Sequence, residues 1–112
     1  MEPEDDLHLK DQYILGAEDS PVQAKRLKHI LNSNNINCEI CTNGAEALQA
    51  AMEKKPIMII SDIVMPGMDG YEFCSRIKTN PGLKDIPVIL LTALSDPLDI
   101  IRGLQAGADN FQ

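Results

Sequence analysis

Residues 54–70, KKPIMIISDIVMPGMDG, decide the fold. Two lysines and a proline lead into the continuously apolar run Ile57–Ile60, which reaches Ser61 and Asp62 and then breaks into a loop containing Pro66 and Gly70. A short run without alternation is the pattern of a strand covered on both faces, as in parallel sheets. IPVILL (86–91) is a second such run, and both are expected at the centre of a sheet. YILGA (13–17) and INCEIC (36–41) supply two more strands.

Helical segments lie between these runs, and their starts are marked. Ser20 and Pro21 with Gln23, Asn43 with Glu46, and Asp69 with Glu72 each place a capping side chain three residues before a polar partner. Leu27, Ile30 and Leu31 form the apolar face of the first helix, with Lys25, Arg26 and Lys28 turned elsewhere; Ala45, Leu48, Ala51 and Met52 form the stripe of the second. SDPLDIIRGLQAG (95–107) reads as a fourth helix, and ADNFQ (108–112) as the opening of a fifth strand. Strict alternation of strand and helix implies parallel strands joined by right-handed crossovers, with helices on both faces of an open α/β sheet.

The chain of 112 residues suits one domain. Its 44% hydrophobic content with no tryptophan calls for an aliphatic core. The net charge of -7 is concentrated in residues 1–12, which carry five acids and one lysine and read as a flexible acidic tail; the globular domain is 13–112. With no basic stripe, direct nucleic-acid binding is not expected. No apolar run is long enough for a membrane span and the N-terminus is acidic where a signal peptide would be basic, so the expected location is cytoplasmic. Three cysteines, an odd number, suit a reducing compartment. Cys38 and Cys41 lie in a strand, where their spacing sends them to opposite faces rather than to one metal.

Ligands of such sheets bind beyond the carboxyl ends of the strands. The first strand ends in Glu18 and Asp19, the third in Asp62 and the fourth in Thr92, so one sheet edge gathers three carboxylates and a hydroxyl. Close carboxylates repel unless a cation neutralises them, and an oxygen-only donor set favours Mg²⁺. A carboxylate beside Mg²⁺ is a competent nucleophile towards phosphorus, with the Thr92 hydroxyl donating to a phosphoryl oxygen. The alternative is structural: Asp62 caps a helix or turns the chain.

With ILGAEDSP, NGAEAL, SDIVMPGMDG, IPVILLTALSD and GADNF, the sequence resembles the receiver domains of two-component response regulators and hybrid histidine kinases from Tyr13 to Phe111. The resemblance implies a flavodoxin-like fold with strand order 2-1-3-4-5 and a phosphoacceptor at Asp62. It makes Asp19 a direct Mg²⁺ ligand, Glu18 a ligand through water, and the Val64 carbonyl the remaining protein ligand. Thr92 and Phe111 match the switch pair. The implied partners are a sensor histidine kinase or histidine phosphotransfer domain and an output domain or effector, and the only catalysis is of the domain's own phosphorylation and dephosphorylation. Val64 and Leu94, which offer no hydrogen bond to a hydrolytic water, imply slow loss of the phosphoryl group.

The family's motif continues past GADNF to a lysine two positions beyond Gln112, so the fifth strand and its helix are expected to be truncated in this sequence. A chain that ended there would expose apolar surface and self-associate, for instance as a homodimer, or lose stability. A degenerate receiver acting as a phosphorylation-independent interaction domain is the rival reading. An aspartate-nucleophile phosphatase would need an acid at Val64, and a flavin site would need a glycine-rich phosphate loop where EDSPVQA stands. Gly16, inside the first strand, is expected to lose packing there.

Overall fold

The computed structural model describes residues 12–91. Four strands, β1 (Ile14–Ala17), β2 (Cys38–Cys41), β3 (Met58–Asp62) and β4 (Val88–Leu91), alternate with three helices, α1 (Pro21–Ser33), α2 (Gly44–Glu53) and α3 (Gly70–Thr79). The strands are parallel and stand in the order β2-β1-β3-β4. β1 and β3 are therefore flanked on both sides, as expected for β3. β4 pairs with β3 alone among the described residues, because the expected fifth strand and fourth helix lie outside them.

All three helices start where their caps place them. The Ser20 hydroxyl accepts from the Gln23 amide at 3.4 Å, and the Asn43 and Asp69 side chains accept from Glu46 and Glu72 at 2.8 Å each. α1 ends differently from anything marked in advance. Asn35 takes a positive φ of 61°, and the amides of Asn35 and Ile36 return to the carbonyls of Asn32 and Leu31, closing the last turn.

Alternation along the strands divides the core in two. Leu15, Ala17, Cys41 and Ile59 face Ala47, Ala51, Phe73 and Ile77 of α2 and α3. Ile14, Met58, Ile60 and Ile89 face Leu27 and Leu31 of α1. Cys38 and Cys41 fall on opposite sides, as their spacing requires.

Two expectations need correction. The buried face of α2 is Gly44, Ala47 and Ala51 with Leu48 beside it, whereas Ala45 and Met52 are exposed. The stripe is rotated because the helix packs closely, and small side chains face the sheet where longer ones would hold it off. Gly16 does not leave a gap either. A Cβ there would stand 2.6 Å from Ile40 Cδ1 and 3.2 Å from Leu27 Cδ2, so neighbouring side chains already fill that space.

Candidate functional site

The sheet register builds the site. Ala17 pairs with Ser61, so the residues that follow, Glu18 and Asp62, leave their strands at the same level. Asp62 in turn pairs with Leu91, the residue before Thr92. Carboxylate oxygens of Glu18, Asp19 and Asp62 lie within 4.8 Å of one another, with Glu18 and Asp62 half-buried and Asp19 exposed.

Backbone groups orient two of the three acids. The Ser20 amide donates to Glu18 Oε2 at 3.1 Å, while the same residue's hydroxyl caps α1. The Glu18 carboxyl is nevertheless raised above its ordinary pKa, first by burial and then by the charges of Asp62 and Asp19, against the opposing pull of the Ser20 amide. The Asp62 Oδ1 accepts from the amide of Ile63 at 2.9 Å, and the buried Ser61 hydroxyl donates to the Asp62 carbonyl at 2.9 Å.

Asp62 caps none of the described helices. The next helix, α3, is capped by Asp69, while the Asp62 side chain takes the amide of its own neighbour Ile63 and meets the Glu18 carboxyl. Of the two structural roles open to it, only the local turn remains, and that role does not require two further acids beside it.

The loop between β3 and α3 is closed at its base. The Gly70 amide donates to the Ile63 carbonyl at 2.8 Å, and a Cβ on Gly70 would lie 2.3 Å from the Asp62 carbonyl oxygen and 2.8 Å from Ile63 Cα. Gly67 turns the chain at φ 78°. Met65 is buried in the core, Pro66 is exposed, and Val64 is 79% exposed beside the acids it follows. Thr92, Leu94 and Phe111 lie outside the described residues. The steric need for glycine at position 70 and the two backbone amides on the acids were not legible in the sequence, since each depends on how close two chain segments approach.

A family model for the response regulator receiver domain matches residues 14–111. The chain belongs to that family. The flavodoxin-like receiver fold and the family's place in two-component signalling apply to it accordingly. The DNA-binding response regulator MtrA of Mycolicibacterium smegmatis is 32% identical over 100 residues, covering 89% of this chain and 42% of that protein. The response regulator PleD of Caulobacter vibrioides is 36% identical over 98 residues, covering 88% of this chain and 22% of its own. This receiver chain thus spans less than half the length of these curated relatives. Among solved structures, the signal receiver domain of a signal transduction histidine kinase from Syntrophus aciditrophicus is 50% identical with a TM-score of 0.71, covering 90% of this chain and 76% of that one. None of the described helices is long and apolar enough to cross a membrane.

Proposed function

We propose that this receiver accepts a phosphoryl group on Asp62 from the phosphohistidine of a sensor histidine kinase or histidine phosphotransfer domain. The observation that carries the reading is the meeting of Glu18, Asp19 and Asp62 within 4.8 Å, with Asp62 capping none of the described helices. In the transfer, an Asp62 carboxylate oxygen forms a bond to phosphorus as the bond from phosphorus to imidazole nitrogen breaks, and the histidine leaves with that electron pair.

The donor set fits a hard divalent cation, because it is all oxygen and contains neither histidine nor cysteine. Asp19 and Asp62 would hold Mg²⁺ directly, Glu18 through water, and the Val64 carbonyl would complete the protein ligands. Bound there, the ion would neutralise charge on the phosphoryl oxygens. The Ile63 amide fixes one Asp62 oxygen, which limits rotation of the carboxylate before attack. Thr92 and Phe111 are assigned the switch, and the readout is a changed surface for an output domain or effector. The location is cytoplasmic, and an output that binds DNA, as the name of the MtrA relative states for that protein, would be a separate part of the whole protein. The receiver at 50% identity belongs to a histidine kinase, which favours a hybrid-kinase setting.

Incubation with a small-molecule acyl phosphate and Mg²⁺, followed by intact mass, tests the reading. A gain of one phosphoryl group that Asp62→Asn abolishes is expected. No gain in a wild-type chain that extends through the lysine expected after Gln112 would instead favour the phosphorylation-independent interaction domain. Once formed, the phosphoryl group is expected to be lost slowly, and a Val64→Asn, Leu94→Glu double variant that lost it no faster would remove the basis for that expectation.

A further inference from the structure

Gly44 is the first residue of α2, directly after its cap Asn43. Its φ is not positive, since Gly67 is the only glycine described with that conformation. Nothing about the backbone therefore asks for glycine at position 44. Space does: a Cβ there would stand 3.1 Å from the Met68 sulfur and 3.3 Å from both Met68 Cβ and Cγ. The Met68 side chain lies across the bare backbone at the start of α2.

Met68 belongs to the loop that follows Asp62, and this contact joins that loop to α2. Elsewhere the loop is held at its base, through Ile63 and Gly70, and by Met65 in the core. Val64, whose carbonyl is assigned to the cation, immediately precedes Met65, and Met68 fixes the far limb of the same tight turn. Side-chain volume at position 44 would push Met68 outward by a few tenths of an ångström and disturb the loop that also carries Val64.

We propose that Gly44 and Met68 act as a positioning pair that seats the phosphoacceptor loop, setting the cation affinity of the site without either residue touching the ion. This rests on the assignment of Glu18, Asp19, Asp62 and Val64 to Mg²⁺. Outer-shell partners of metal ligands commonly alter affinity about 10–100-fold, and an indirect seat belongs at the low end.

The test is Mg²⁺ titration by calorimetry of the full chain as wild type, Gly44→Ala, Met68→Ala and Gly44→Ala/Met68→Ala, with amide hydrogen exchange of residues 63–69 read in parallel without metal. Gly44→Ala is expected to bind Mg²⁺ about tenfold more weakly and to exchange faster across the loop. Met68→Ala, which removes the seat, is expected to weaken binding as well, and the double variant should lose less than the two single losses combined, because the methyl group at position 44 no longer meets the Met68 sulfur and Cγ. Wild-type affinity in Gly44→Ala or in Met68→Ala, or single losses that simply add in the double variant, overturns the pairing alone. Wild-type protein that binds no Mg²⁺ overturns the cation assignment and the pairing with it. Should Gly44→Ala fold poorly, Met68→Leu, which keeps the volume and changes the shape, must weaken Mg²⁺ binding while the melting temperature stays at the wild-type value; unchanged affinity there also overturns the proposal.

Discussion

The carbonyl oxygen of Asp62 lies 2.3 Å from the point where a Cβ on Gly70 would sit, so the residue that opens α3 rests on the backbone of the candidate phosphoacceptor. The atoms in the way are backbone and cannot swing aside as a side-chain tip can. Gly70→Ala must therefore part the loop base, break the Gly70 to Ile63 hydrogen bond or move Asp62. We expect a loss of about 2–3 kcal/mol, the upper range for forced overpacking, measured by urea unfolding. A variant within about 0.5 kcal/mol of wild type, the scale of a surface substitution, would show that the base is not closed as described.

Glu18, Asp19 and Asp62 oppose one another when no cation is present, since their oxygens crowd within 4.8 Å. Two unit charges at about 4 Å interact by roughly 1 kcal/mol even in water. Glu18→Gln keeps an acceptor for the Ser20 amide and removes one charge. Its metal-free stability should rise by about 0.5 kcal/mol after solvent screening, while its stabilisation by Mg²⁺ falls. For wild type, Mg²⁺ at about ten times its dissociation constant should add about 1.4 kcal/mol, and thermal melts with and without the ion read both effects.

Ile40 and Leu27 occupy the volume above Gly16. The closest atom, Ile40 Cδ1, is the end of a side chain that is only partly buried, so it can yield to a methyl group. Gly16→Ala should stay within about 1 kcal/mol of wild type, its strand gain offset by repacking. Gly16→Val should lose about 1–3 kcal/mol, and adding Ile40→Ala should return part of that loss. Equal losses in Gly16→Val and the double variant would show that the two sites do not share a volume.

How much of this was legible beforehand follows from what each feature depends on. Asn43, Asp69 and Ser20 mark their helices because a cap acts within three residues, and the short unbroken apolar runs in 57–60 and 86–91 mark parallel strands because burial on both faces leaves no polar positions. The convergence of Glu18, Asp19 and Asp62 was legible once the strands were known to be parallel and adjacent. The α2 face was misplaced because Ala45 and Ala47 are chemically identical, and only the approach distance to the sheet chooses between them. Gly16, Gly44 and Gly70 look alike in the sequence, yet their neighbours are an isoleucine tip, a methionine side chain and a main-chain carbonyl, which local pattern does not encode.

Tyr13 ties β1 to the end of α2 and gives the fold an alkaline limit. Its hydroxyl donates to the Lys54 carbonyl, with the Ala50 carbonyl at 3.5 Å, and the Lys54 ammonium stands 5.5 Å from the ring centroid. Burial, then the charges of Glu39, Cys41 and Glu53, push its pKa up to about 12 from an ordinary value of 10.0. The folded state thus holds the phenol proton more tightly than the unfolded chain does. The resulting stability is complete below pH 10 and is lost as pH rises towards about 12. Tyr13→Phe removes the hydrogen bond and should lower stability at pH 8 by about 1 kcal/mol. The variant changes no other ionisable side chain, so the difference between wild type and variant isolates Tyr13. Urea unfolding from pH 8 to 11 should show that difference shrinking above pH 10. A difference that stays constant across the range would mean that the phenol ionises as readily in the fold as in the unfolded chain.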